Sequence, residues 1–203
     1  MKAREIIALH DAALTATPRE PRASAIERNH WHNCRLWEQE DLARRRHVPD
    51  SDIAANKRAI DGHNQKRNDA IECIDEELLS GAAGVERKPQ ARLSSETPGA
   101  MIDRLSILAL KIHHMRLQTE RTDVDRSHIE SCQAKLTRLL EQRTDLAACL
   151  DRLLAEVQCG ESYFKVYRQF KMYNDPKLNP AIYQEKTRRA SSSAPRRSSR
   201  RSS

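Results

Sequence analysis

The chain has 203 residues, of which 38% are hydrophobic, 4% aromatic and 32% charged, with five glycines; that composition supports one domain with a thin, elongated core and is too poor in turns and β-branched runs for a sheet protein. The net charge is +7, but Arg188, Arg189, Arg196, Arg197, Arg200 and Arg201 supply six units, so residues 1–187 carry only +1 and the folded part is not a basic nucleic-acid binder by composition. Five cysteines without a CxxC pair (Cys34, Cys73, Cys132, Cys149 and Cys159) exclude a disulfide framework and read as reduced, mostly buried side chains of a cytosolic protein.

A short amphipathic helix is predicted from about Ala3 to Leu14, ending before Pro18 and Pro21. Glu5, His10 and Asp11 interrupt any leader, and no later stretch is apolar enough for a membrane span, so a cytoplasmic location is expected. A second helix runs from about Ser24 to Arg46. Pro49, Asp50 and Ser51 break the chain and cap a third, Asp52 to about Leu79. Residues 80–96 carry Gly81, Gly84 and Pro89 and read as the one long linker. Thr97 and Pro98 are an N-cap and first-turn pair that launches a fourth helix through Gln118. Asp123 or Asp125 caps the fifth, which ends at Gly160. On it Ile129, Cys132, Leu136, Leu139, Arg143, Leu146, Leu150, Leu153 and Val157 recur in steps of three and four, a heptad seam with one charged intruder. A sixth helical segment, Ser162 to Tyr173, stops at Asn174, Asp175 and Pro176. Residues 188–203 have nothing apolar to bury and read as a disordered tail. The expected class is all-α: an elongated antiparallel helical bundle of four long helices with shorter flanking helices. Its parts are an N-terminal helix and linker (1–22), a bundle domain (23–187) and a tail (188–203).

Short connections make neighbouring helices antiparallel, so level partners follow from reflecting the numbering through each turn. Reflection near residues 49 and 50 brings Trp37 level with about Gly62, Asn33 with about Lys66 and Asp41 with about Arg58, so that Asn33, Trp37, Asn64, Arg67 and Asn68 converge. Reflection near Asp123 brings Asp103 level with Arg143, and an ion pair across that hairpin is the expectation.

The strings RLSILALKIHHM (Arg104 to Met115), AKLTRLLEQRTDL (Ala134 to Leu146) and FKVYRQFKMYNDPKLNP (Phe164 to Pro180), with SETPG before them and NQKRND (Asn64 to Asp69) earlier, resemble a bacterial family catalogued as domain of unknown function 4254. The resemblance covers roughly Ala25 to Tyr183. It implies a helical fold and no chemistry.

Five constellations are candidates for function. Asp103, Arg104, Lys111 and Arg143 form a polar seam whose cations suit an oxyanion, although an internal Asp103–Arg143 pair is the simpler account. Glu38 with Asp41 and Glu72 with Asp75 make two ExxD pairs of the kind that holds magnesium, but they fall about 20 Å apart at the helical rise and read better as solvated faces. Glu27 with His30, and Asp125 with His128, only weakly suggest a di-iron site, and capping explains the second pair. His113 and His114 are adjacent and face different ways, so no metal is assigned. Tyr163, Phe164, Tyr167, Phe170 and Tyr173 alternate with Lys165, Arg168 and Lys171, a pattern able to stack bases; on a helix, however, Tyr163, Tyr167 and Phe170 would form a core stripe, which is the preferred reading. The six tail arginines would bind polyanions weakly.

No nucleophile with its base, no glycine-rich phosphate loop and no zinc motif is legible, and no cofactor is expected. The leading expectation is a non-catalytic interaction or assembly module, self-associating or meeting a protein partner through leftover helix faces. The alternative is an enzyme or binding protein for a small anionic metabolite such as a sugar phosphate, held by Asn33, Trp37, Asn64, Arg67, Asn68, Asp103, Arg104, Lys111 and Arg143. A third is weak nucleic-acid binding through Lys165, Arg168, Lys171 and the tail arginines.

Overall fold

A computed structural model describes residues 1–17 and 24–185. The described residues divide into two units, one within residues 1–167 and the other beginning at Arg168. The first holds five helices: α1 (Ala3–Ala13), α2 (Ala25–Ala43), α3 (Asp50–Gly81), α4 (Pro98–Thr119) and α5 (Arg126–Gln158). All-α is therefore the class, and the helix boundaries lie within a few residues of those read from caps and periodicity. No helix among the described residues is long and apolar enough to cross a membrane.

Three of the four expected caps act as their chemistry predicts; the exception is α3, which already begins at Asp50 after Pro49 and has no side-chain cap hydrogen bond, so Asp50 and Ser51 lie inside its first turn. Ser24 Oγ accepts from Glu27 N, Thr97 Oγ1 from Ala100 N, and Asp125 Oδ1 from His128 N at 2.7 Å. The turn after α2 is centred slightly earlier than the reading assumed. Gln39 meets Asn56 and His32 meets His63, so reflected positions in this hairpin are offset by about one helical turn.

α4 is the central helix. Half of its residues are buried, and it packs against α1, α2, α3 and α5. Ile102, Leu105 and Leu108 meet Ile74 of α3, Leu146, Leu150, Leu153 and Val157 of α5, and Ala3 and Ile6 of α1 in one apolar core. Every position of the α5 seam is buried or half-buried, including Arg143. Two glycines sit where backbones approach closely. At Gly99 a Cβ would lie 2.6 Å from the Ile71 carbonyl oxygen, and at Gly160, where φ is 69°, 2.2 Å from that of Glu86.

The structure changes three local expectations. Residues 80–96 do not form a plain linker: β1 (Arg92–Leu93) pairs in parallel with β2 (Ser162–Tyr163), with Ser94 N donating to Tyr163 O at 2.8 Å. That pairing takes the start of the expected sixth helix. Residues 164–171 carry no regular structure, and a 3-10 turn spans Met172–Asn174. The expected core stripe is accordingly absent. Phe164 is the aromatic that fills the core, Tyr163 is half-buried beneath the Arg87 guanidinium, and Tyr167 and Phe170 are exposed. All five cysteines are free, but Cys132 alone is fully buried and Cys149 and Cys159 are exposed.

Candidate ligand-binding site

Asp103 organises a polar cluster inside the first unit. Its Oδ1 accepts from Asn29 Nδ2 at 2.8 Å and Asn33 Nδ2 at 2.9 Å, both on α2. Asn33 also donates to Ser106 Oγ, which lies 2.8 Å from His30 Nδ1. Arg67 Nε, on α3, is 3.9 Å from Asp103 Oδ1, too far for a hydrogen bond, and is buried without another partner among the described residues.

The expected Asp103–Arg143 pair does not form. Reflection fixes how far along a hairpin two residues sit, whereas partner choice depends on their direction around each helix axis. Asp103 points to α2 and α3. Arg143 points to α1, where Asp11 accepts its Nη1 through both oxygens at 2.9 Å. The intruding arginine thus has a carboxylate partner, supplied by a helix the reflection did not include. A carboxylate of α5, Asp151, in turn accepts from Ala3 N at 2.9 Å at the start of α1.

Beside this cluster, Trp37 and Asp41 form a wall common to three clefts. The smallest, about 390 Å³, lies between α2, α3 and α4 and brings Asn33, Trp37, Asn64 and Arg67 together as the sequence predicted. Asn68 is buried on α3 and lines none of the clefts described here. A second cleft, about 600 Å³, lies between α2, α4 and α5. Lys111, Lys135 and Arg138 line it with Asp41, while the Trp37 and His114 rings, stacked at 4.4 Å and 4°, supply a flat wall. A third, also about 600 Å³, opens between α1, α2 and α4 and is lined by Trp31, Cys34, Arg35, Glu38 and His113 among others.

Arg104 and Lys111 line one further cleft between α4 and α5, which Arg143 does not reach; there Arg104 is held by a two-oxygen contact to Glu96 at 2.7 and 3.0 Å. Of the seam cations, Lys111 is the one that reaches the basic cleft. The residues that join it there, Lys135 and Arg138, are absent from the sequence-derived set. A signal for them existed: reflection through residue 123 places Lys111 level with Lys135.

Protonation states follow from burial. Burial lowers the pKa of His114, with His113 adding to the effect, so its ring is a neutral hydrogen-bonding group at neutral pH. Burial lowers His30 to about 4 and pushes the Cys34 thiol up to about 11, which leaves that sulfur protonated and without nucleophilic activation. The ExxD pairs do not act jointly. Glu38 is paired with Arg35, whereas Asp75, expected on a solvated face, is buried and accepts from Gly99 N at 2.6 Å. Burial raises the Asp75 pKa, against the opposing hydrogen bonds from Thr97 and Gly99.

No curated protein and no solved structure matches the chain. A model of the family described as protein of unknown function (DUF4254) matches residues 23–166, which include α2 to α5 and every residue of the basic cleft, and the chain belongs to that family.

Proposed function

We propose that the protein binds a small anionic metabolite in the cleft between α2, α4 and α5. The carrying observation is the cleft's charge and shape: Lys111, Lys135 and Arg138, the last also paired with Glu141 at 3.1 Å, line about 600 Å³ together with Asp41 and the Trp37–His114 stack. Cations on helices of the rigid bundle favour a phosphate or carboxylate, and a flat aromatic wall accepts the face of a sugar or a heterocycle. Trp37, as a common wall, connects this cleft with the one lined by Asn64 and Arg67. The other reading, an interaction module using leftover helix faces, has less support, because α1 and α4 pack against α5 within the chain. Binding alone is proposed, with no reaction assigned, since no activated nucleophile accompanies the cations.

The test is thermal-shift screening against sugar phosphates and nucleotides, followed by titration of tryptophan fluorescence. At ligand about 100-fold above Kd, stabilisation of about 2.7 kcal/mol is expected. Lys111→Ala with Lys135→Ala should abolish it without changing the circular dichroism spectrum. The reading is overturned if no anion shifts the melting point, or if the double variant responds like the parent chain.

A further inference from the structure

The cleft between α2, α3 and α4 differs from the basic cleft in what its side chains leave uncommitted. Its lining holds two carboxylates, Glu40 and Asp41, and two guanidinium groups, Arg44 and Arg67, and so carries no net charge; Glu40 and Arg44 satisfy each other at 2.7 Å. A second anionic group has no excess of cations to meet there. Neutral hydrogen-bonding capacity is what remains. Asn64 and Arg67, neighbours on one face of α3 and both half-buried, form no side-chain hydrogen bond among the described residues. Asp103 lies 3.9 Å from Arg67 Nε, on one edge of the guanidinium, while the terminal nitrogens keep their donors. Asn33 is fixed from the core side, its amide nitrogen donating to Asp103 and Ser106 at 2.9 Å each, which leaves its carbonyl oxygen as an acceptor.

We infer that this cleft holds the sugar ring of a sugar phosphate whose phosphate group occupies the basic cleft; the inference rests on the anion-binding reading above. Trp37 and Asp41, one helical turn apart on α2, line both clefts, so the two meet along that turn. A sugar hydroxyl donates and accepts at once. It therefore matches a lining that mixes donors on Arg67 and Asn64 with acceptors on Asn33, Asn64 and Asp41, whereas a phosphate could use only the donors. The Trp37 indole with Ile107 and Leu110 supplies apolar surface for the C–H face of the ring. The volume of about 390 Å³ is close to the lower end of small-molecule sites, roughly 300 to 1,000 Å³, and suits one ring better than a base with its ribose.

The experiment is isothermal titration calorimetry of the full chain with a panel of pentose and hexose phosphates, set against inorganic phosphate, hexyl phosphate and a nucleoside monophosphate. At least one sugar phosphate should bind about tenfold or more tighter than either inorganic phosphate or hexyl phosphate, the worth of about two added hydrogen bonds. Asn64→Ala should weaken that sugar phosphate about fivefold or more and leave inorganic phosphate within about twofold. Arg67→Lys, which keeps the charge and loses the fork of donors, should act in the same way. Circular dichroism of each variant verifies that the fold is kept. Equal affinity for sugar phosphates and inorganic phosphate overturns this inference and leaves the anion-binding reading standing, whereas binding of no phosphate compound overturns both. Hexyl phosphate matching the best sugar phosphate, a nucleoside monophosphate exceeding every sugar phosphate, or parental affinity in both variants overturns it as well.

Discussion

A single methylene group decides how α4 enters the core. Thr97 and Pro98 start the helix, and Gly99 then passes so close to α3 that its amide reaches Asp75 at 2.6 Å. A Cβ at that position would meet the Ile71 carbonyl oxygen and, at 2.8 Å, the Asp75 carboxyl group. Backbone cannot yield as a flexible side chain can, so Gly99→Ala should destabilise the fold by about 1–3 kcal/mol in urea denaturation. A stability within about 0.5 kcal/mol of the parent would show that α3 and α4 separate at little cost. The string SETPG was legible as a cap and a first turn. The need for its glycine was not, because the obstructing atoms belong to Ile71 and Asp75, 28 and 24 positions earlier in the chain. Asp103 and Arg143 teach the same lesson about side chains. Their level along the hairpin followed from counting residues, while their partners followed from helix packing that the count does not contain.

Among the elements, α1 lies outside the matched family region yet is built into the core. It buries Ala3, Ile6 and His10, donates its Ala3 amide to Asp151, and holds Arg143 through Asp11. His10 stacks on His30 at 4.6 Å, and neither of its ring nitrogens has a hydrogen-bond partner among the described residues. Burial, the His30 ring and Arg143 lower the His10 pKa well below the ordinary histidine value, and burial lowers that of His30 to about 4. Both groups bind protons more readily in the unfolded chain. Their contribution to stability is therefore complete above the ordinary value of 6.5 and is lost as pH falls from there towards about 4. His30 alone should reduce unfolding free energy by about 1.4 kcal/mol per pH unit within that window, with His10 adding to it. Asp75, whose pKa is raised, acts in the opposite sense and offsets part of the slope. Urea titrations at about pH 7, 6 and 5 measure the effect, and His30→Gln should remove most of one histidine's share. An unchanged slope in that variant would mean that His30 is not the titrating group. α1 to α5 were legible because each has a 3.6-residue apolar period bounded by a cap or by prolines. The segment after Gly160 was not, since its fate depends on pairing with Arg92 and Leu93, some seventy positions away.

At the scale of the whole molecule, burial and charge divide at the same place. The apolar core ends at Phe164, the matched family region at residue 166 and the first compact unit at Tyr167. Beyond that point Phe170, Met172, Tyr173 and Leu178 remain in solvent, and nearly all of the chain's excess positive charge is found there. The tail arginines themselves, and the disorder expected of them, lie outside the described residues. Since buried apolar area supplies most of the favourable free energy of folding, a chain without residues 168–203 keeps every residue of the apolar core. A chain ending at Tyr167 should retain its helical circular dichroism spectrum and melt cooperatively within about 3 °C of the full chain, a shift worth less than about 1 kcal/mol for a domain of this size. It should keep any response to small anions, because Lys111, Lys135 and Arg138 remain. A large drop in melting temperature would place part of the folding energy in the second unit.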